Sequence, residues 1–210
     1  MTGSKGRTRN ARGFTLIEML ISLAIFAVVT GMVVANLRVG RQGDEVRFAS
    51  QLAASAIRRA QTLAISGERV FMCRQGVNDG HTCLSGQIDE CPGGSCARRV
   101  PSGYGVRFST AEEDRMKMLL YADGGEPANR VFDPGETVRS DSIAPSQLVV
   151  IDSVSPAGAT LDIVFAPPKP TVYVNGGTAD VNASVTFRHL HTGQTRTVTI
   201  NRISGQISAE

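Results

Sequence analysis

The feature that most limits what this chain can fold into is an apolar run from Phe14 to Leu37 that holds a single charge, Glu18. Its 24 residues would extend about 36 Å as a helix at roughly 1.5 Å per residue. That is enough to cross a hydrocarbon core of about 30 Å. A helix apolar on every side has no polar face to offer water, so the run is read as membrane-spanning. A carboxylate inside such a span costs roughly 2.5–3.5 kcal/mol on insertion scales, which marks Glu18 as functional. The residues before the run carry Lys5, Arg7, Arg9 and Arg12, no acid, and end on Gly13.

Charge has to be divided before it is interpreted. The whole chain of 210 residues has a formal net charge of +3, from 22 Lys and Arg against 19 Asp and Glu. Without the four basic residues before Gly13, 18 basic face 19 acidic side chains, a formal −1. The basic excess therefore belongs to the amino end, where it holds that end in the cytoplasm. The remainder has no bulk electrostatic attraction to nucleic acid. There is no Trp, so a core must be built from Val, Ile, Leu, Met and eight Phe. The length suits one globular domain beside one membrane helix. Val33-Val34-Ala35 also offers a small-residue cleavage site, which would make the run a secretory signal and release an enzyme. Secretory apolar regions are shorter, about 7–15 residues, and Glu18 is out of place in one.

The helical pattern continues past the membrane span. Gly40 and Gly43 loosen it, and Asp44-Glu45 suit a restarting first turn. Phe48, Ala49, Leu52, Ala53, Ala56, Ile57, Ala60 and Ala64 then recur at helical spacing on one face, opposite Ser50, Gln51, Arg58, Arg59 and Gln61. Gly67 supplies a stop, so one long helix is expected from Phe14 to Ser66. Beyond it the period becomes alternating. Strands are expected at Arg69–Arg74, Tyr104–Phe108, Met116–Tyr121, Leu148–Ser153, Leu161–Phe165, Val181–His189, Thr195–Asn201 and Gly205–Ser208. Val185–Arg188 and Arg196–Ile200 flank a Thr192-Gly193 turn and form the clearest hairpin. Residues 75–103 read as a polar cysteine-bearing loop, and Ala166–Gly177 as a Pro/Gly-rich excursion.

With the amino end inside, Cys73, Cys83, Cys91 and Cys96 lie outside the cytoplasmic membrane, where disulfides persist. Four cysteines allow three pairings and the sequence does not choose among them. The short Cys91-Pro92-Gly93-Gly94-Ser95-Cys96 segment can close a tight loop, leaving Cys73 with Cys83. No spacing is Cys-x-x-Cys and His81 stands alone in a turn-rich segment, so no metal and no cofactor are expected. Asp123, Glu126, Asp133 and Glu136 are oxygen donors of the kind calcium takes, but Gly125 and Pro127 break the loop spacing, and they read as a turn-rich acidic loop. No nucleophile elbow, phosphate loop or His-Glu-x-x-His occurs, so an enzyme is not expected.

Arg12-Gly13-Phe14-Thr15-Leu16-Ile17-Glu18-Met19-Leu20 resembles the class III signal of type IV pilins and type II secretion pseudopilins. The resemblance implies cleavage after Gly13 by a prepilin peptidase and methylation of the new amino terminus, Phe14. It also implies that Glu18 pairs with the amino terminus of a neighbouring subunit as helices gather in a filament. The expected partners are the prepilin peptidase, other pilin or pseudopilin subunits and the inner-membrane assembly platform. The expected location is the cytoplasmic membrane as a single-pass protein with its head outside, and then the filament.

Phe48–Gln61, Val70–Cys73, Tyr121–Gly125 with Asp133–Arg139, and the closing Thr195–Ser208 are similar to the minor pseudopilin H and FimT/FimU minor pilin family. The expected fold is pilin-like α+β, a long amino-terminal helix on a β-rich, mostly antiparallel head. Its divisions are a leader at 1–13, a membrane half-helix at 14–37, an extracytoplasmic half at 38–66 and the head at 67–210. Some FimT-type members end in a Gly-Arg-x-Arg hairpin that contacts DNA. Here Gly205-Gln206-Ile207-Ser208 lacks both arginines. Arg188, Arg196 and Arg202 remain as the DNA-contact candidates, read as solvated hairpin residues, and nucleic acid is not the expected partner.

Overall fold

A computed structural model describes residues 15–83, 89–125, 128–167, 171–177, 182–201 and 203–210, and the backbone alone of 35–42. The chain divides into two compact units between Arg41 and Gln42. One helix, α1 (Leu16–Ser66), runs through both. It continues across Gly40 and Gly43 without the restart expected at Asp44-Glu45, because isolated glycines weaken a helix by only about 1 kcal/mol each.

The end of α1 is a Schellman motif. Glu68 N–H donates to Leu63 O (3.3 Å) and Gly67 N–H to Ala64 O (3.4 Å), with Gly67 at φ 61°. A side chain at that φ is strained, which is why the stop falls on glycine. In the second unit the helix buries Val46, Ala49, Ala53, Ala54, Ile57, Ala60 and Ala64. These side chains join the strands' buried residues in one core cluster. The face is turned slightly from the expected one: Phe48 is exposed, while Ser50 is buried with its hydroxyl donating to Arg47 O.

Eleven strands follow among the described residues. The expected strands appear as β1 (Val70–Arg74), β3 (Gly103–Ser109), β4 (Lys117–Asp123), β6 (Val149–Ser155), β7 (Thr160–Ala166), β9 (Ala183–His189), β10 (Thr195–Ile200) and β11 (Ile207–Ala209). Three more were not expected: β2 (Ser95–Arg99), β5 (Thr137–Ser142) and β8 (Thr171–Val174). β2 lies inside the segment read as a cysteine loop, and β8 inside the Pro/Gly-rich excursion. β2 and β5 are mostly exposed and lack the apolar alternation that identifies a half-buried strand, so only their partners reveal them.

Among the described residues all pairing is antiparallel, in sheets ordered β5-β4-β3-β7-β8, β11-β10-β9-β6 and β1-β2. The two larger sheets meet at an edge-to-face contact between Phe108 of β3 and Phe187 of β9, centroids 6.4 Å apart. The two-stranded sheet sends Met72 of β1 into the main core, and the segment after it is tied to β5 through Thr82. Its N–H donates to Gly135 O (2.8 Å), while Cys83 N–H beside it reaches Phe71 O (3.0 Å). Tyr104 fastens β3 to the helix end through its hydroxyl on Glu68 O at 2.8 Å, and burial pushes its own pKa up to about 12.

Candidate functional site

The first turn of α1 is organised by Thr15-Leu16-Ile17-Glu18. Glu18 N–H donates to Thr15 Oγ1 (3.3 Å) and Met19 N–H to Thr15 O (3.2 Å), so Thr15 caps the helix. The Thr-x-x-Glu spacing is a capping-box pattern that could have been read from the sequence. It places the carboxylate of Glu18 beside the positive end of the helix dipole. Glu18 is exposed, as are the apolar side chains that follow it, Phe26 at 70% and Met32 at 69% among them. Leu16–Val34 is long and apolar enough to cross a membrane, and none of it is buried. Gly13 and Phe14 lie outside the described residues.

The hairpin candidates do not form a single patch. In the β9–β10 register Arg188 stands opposite Thr195, and Arg196 opposite Phe187. Opposed residues share a face and successive ones alternate, so Arg188 and Arg196 point to opposite sides. Arg188 is also ion-paired to Asp152 at 2.5 Å. Arg202 lies outside the described residues. Duplex DNA is therefore expected to bind the protein no better than the generic range of about 10⁻⁴–10⁻⁶ M at physiological salt. A filter-binding or anisotropy titration giving submicromolar affinity, lost in the Arg188→Ala, Arg196→Ala, Arg202→Ala triple variant, would contradict this. His189 between them is fully buried. Its Nδ1 accepts the N–H groups of His191 (3.2 Å) and Thr192 (3.3 Å), shaping the hairpin turn, and its Nε2 faces Glu45 Oε2 on α1 at 3.6 Å.

The acidic segment between β4 and β5 is a fastening rather than an open loop. Asp123 and Glu136 are buried, and so is Asp162 of β7. Asp123 pairs with Arg130 at 3.2 Å and Asp162 with Arg107 at 3.5 Å. Arg130 lies over the ring of Tyr173 and Arg107 over Phe132, adding cation–π contact to each pair. Glu136 accepts Gly124 N–H (3.1 Å) and Asp133 N–H (3.0 Å), and Asp133 accepts Asn129 Nδ2 (2.7 Å). Gly105 lies beneath the ring of Tyr121, where a Cβ would sit 2.4 Å from the ring. Of the four acids considered for calcium, Asp123, Asp133 and Glu136 thus hold protein donors, and Glu126 lies outside the described residues.

Burial raises Glu136 to about 7, opposed by its two backbone N–H bonds and reinforced by Asp123 and Asp133. Burial likewise raises Asp162 to about 6 against the pull of Arg107. Both folded values exceed the unfolded ones, so the folded head holds protons that the unfolded chain releases. Their contribution is complete below the unfolded values near 4 and is lost as pH rises through about 6 to about 7. Melting is thus expected to be lower at pH 8 than at pH 5. Glu136→Gln, which resembles the protonated acid, should reduce that difference by about 1–3 kcal/mol. Parallel melts of the two proteins at both pH values check this, and identical pH dependence would refute it.

All four cysteines are paired. Cys73–Cys91 and Cys83–Cys96 have Cα separations of 5.3 and 6.1 Å. The tight Cys91–Cys96 loop does not form. Cys96 instead stands opposite Cys73 in the β1–β2 ladder, and Cys91 sits in a turn closed by Gly94 N–H on Cys91 O at 2.9 Å.

The chain matches no curated protein and no solved structure. Residues 8–34 match the prokaryotic N-terminal methylation motif, which spans Gly13, Phe14 and Glu18 and gives the chain the class III signal of a type IV pilin-like subunit.

Proposed function

We propose that the protein is a minor pilin or pseudopilin, a structural subunit of a type IV pilus or type II secretion pseudopilus. It is cleaved after Gly13, methylated on Phe14, held in the inner membrane by the first half of α1 with its head outside, and assembled through that helix. The observation that carries this reading is the methylation motif at residues 8–34, which coincides with a fully exposed apolar helix holding one acid. The minor-subunit assignment rests on the likeness of the helix second half and closing hairpin to the minor pseudopilin H and FimT/FimU family. In this reading the head works by presenting a rigid surface to neighbouring subunits, and no catalytic step is assigned to it.

Coexpression with a prepilin peptidase is expected to yield a mature chain beginning at methylated Phe14. Gly13→Val should leave the precursor uncut, because the peptidase must close on a residue without a side chain. Intact-mass spectrometry of the purified membrane protein distinguishes the two. A terminus at Asn36, following Ala35, would replace this reading with secretion of a released head.

A further inference from the structure

Asparagine followed two residues later by serine or threonine, with no proline between, occurs once in the 210 residues, at Asn182-Ala183-Ser184. This is the acceptor pattern for N-linked glycan transfer, and it belongs on a surface. Asn182 is exposed and immediately precedes β9, whose burial alternates from Ala183 to His189. Ser184 therefore points to the solvent side, away from buried Ala183 and Val185, and Asn182 opens onto solvent at the end of that face.

The same face is made of hydroxyls. Ser155 of β6, Ser184 of β9, Thr199 of β10 and Ser208 of β11 stand opposite one another in a row across all four strands. A second row holds Ser153, Thr186 and Thr197, with the Thr186 and Thr197 hydroxyls 3.1 Å apart. Neither row contains a charge or an aromatic ring. Strands lie about 4.7–4.9 Å apart, so the rows offer donors and acceptors at short, regular intervals. Water alone asks only for polarity on such a face, and charged side chains would serve it as well.

We propose that Asn182 is an N-glycosylation site and that its oligosaccharide lies over the hydroxyl face of the four-stranded sheet. The inference rests on the head lying outside the cytoplasmic membrane, as in the reading above. The ladder ends at Ala183 opposite Ile200, so the glycan also stands beside the β10–β11 turn, where Ile203 is 88% exposed. Covering that side chain removes an apolar contact point from the head.

The donor is an oligosaccharide joined through pyrophosphate to a membrane lipid. The side-chain nitrogen of Asn182 forms a bond to the anomeric carbon of the first sugar. The bond from that carbon to the pyrophosphate oxygen breaks, the lipid pyrophosphate leaves with the electron pair, and the nitrogen releases one proton. Nothing is oxidised or reduced. In the folded head Ser184 is flanked by Ser155 and Thr199, so transfer precedes the pairing of β9, while the exported chain is still open.

The test coexpresses the full-length protein with a bacterial oligosaccharyltransferase and its lipid-linked oligosaccharide. A suitable enzyme is one that requires an acid two positions before the asparagine, a place held in the sequence by Asp180. Intact mass should rise by one oligosaccharide per chain, and peptide mass spectrometry should place it on Asn182. Asn182→Gln, Ser184→Ala and Asp180→Ala should each lose the increase, and Ser184→Thr should keep it. Trypsin should cut after Arg202 more slowly in the modified protein, and equal rates would overturn the placement over that face. Disulfide formation in the same sample reports export. Paired cysteines with no added mass would overturn the proposal alone, as would a mass increase that survives Asn182→Gln. Free thiols with no added mass would overturn both the proposal and the outside location on which it rests.

Discussion

Glu18→Ala is expected to leave the protein inserted in the membrane and to remove it from filaments. Insertion should become easier, because a carboxylate in hydrocarbon costs roughly 2.5–3.5 kcal/mol and alanine does not. Helix initiation should also survive, because the cap contact runs from the backbone N–H of residue 18 to Thr15 Oγ1 and needs no side chain at 18. Assembly is what should fail. Removing one partner of a buried ion pair leaves the other charge uncompensated, at a cost of about 3–5 kcal/mol. In a subunit association that is about a hundredfold or more. Shearing filaments from cells and quantifying this subunit against a major subunit gives the measurement. Glu18→Gln separates charge from hydrogen bonding: it should fail nearly as badly if the neighbour's amino group is the partner. Wild-type incorporation of Glu18→Ala would remove the register role from Glu18.

The second large effect concerns the disulfides. Cys73–Cys91 and Cys83–Cys96 join residues 18 and 13 apart. Each such closure contributes about 2–4 kcal/mol, chiefly by restricting the unfolded chain. For a protein of this size 1 kcal/mol moves the melting temperature by about 2–4 °C. Reduction in the presence of a chelator should therefore lower melting by roughly 10–20 °C when both bonds are lost. The Cys73→Ser, Cys91→Ser double variant should show about half of that. The reason it should be so large is visible in the fold: beyond Met72 and Val70, which reach the main core, the lobe around the two-stranded sheet has only the small cluster of cysteines and Phe71, so the sulfur bonds supply much of its packing. Equal melting of oxidised and reduced protein would refute this.

What could be read in advance depended on whether a residue's surroundings repeat along the chain. The helix end at Ser66 was legible because Gly67 alone satisfies the positive φ of a Schellman stop. The β9–β10 hairpin was legible because β-branched residues alternate on both sides of Thr192-Gly193. β5 was not, because Thr137–Ser142 is an edge strand exposed along most of its length, and exposed positions accept nearly any residue. The same reasoning explains the helix face. Phe48 looked apolar enough to be core, but the buried face lies one step around the helix, where Ser50 and Ala54 are buried.

The amino-acid sequence by itself determined an apolar start long enough to cross a membrane, the one acid within it, the methylation motif around its beginning and the change from helical to strand period after Gly67. Each of these is local: it follows from the solvent a stretch of side chains requires or from a backbone angle one residue allows. Only the tertiary structure decided which cysteines meet, that Arg188 and Arg196 face apart, and that Asp123 and Glu136 of the acidic loop are buried, as is Asp162 of β7. Those outcomes depend on strand register and on close approach between segments many residues apart. A one-residue change of register turns a side chain to the opposite face without altering any local pattern.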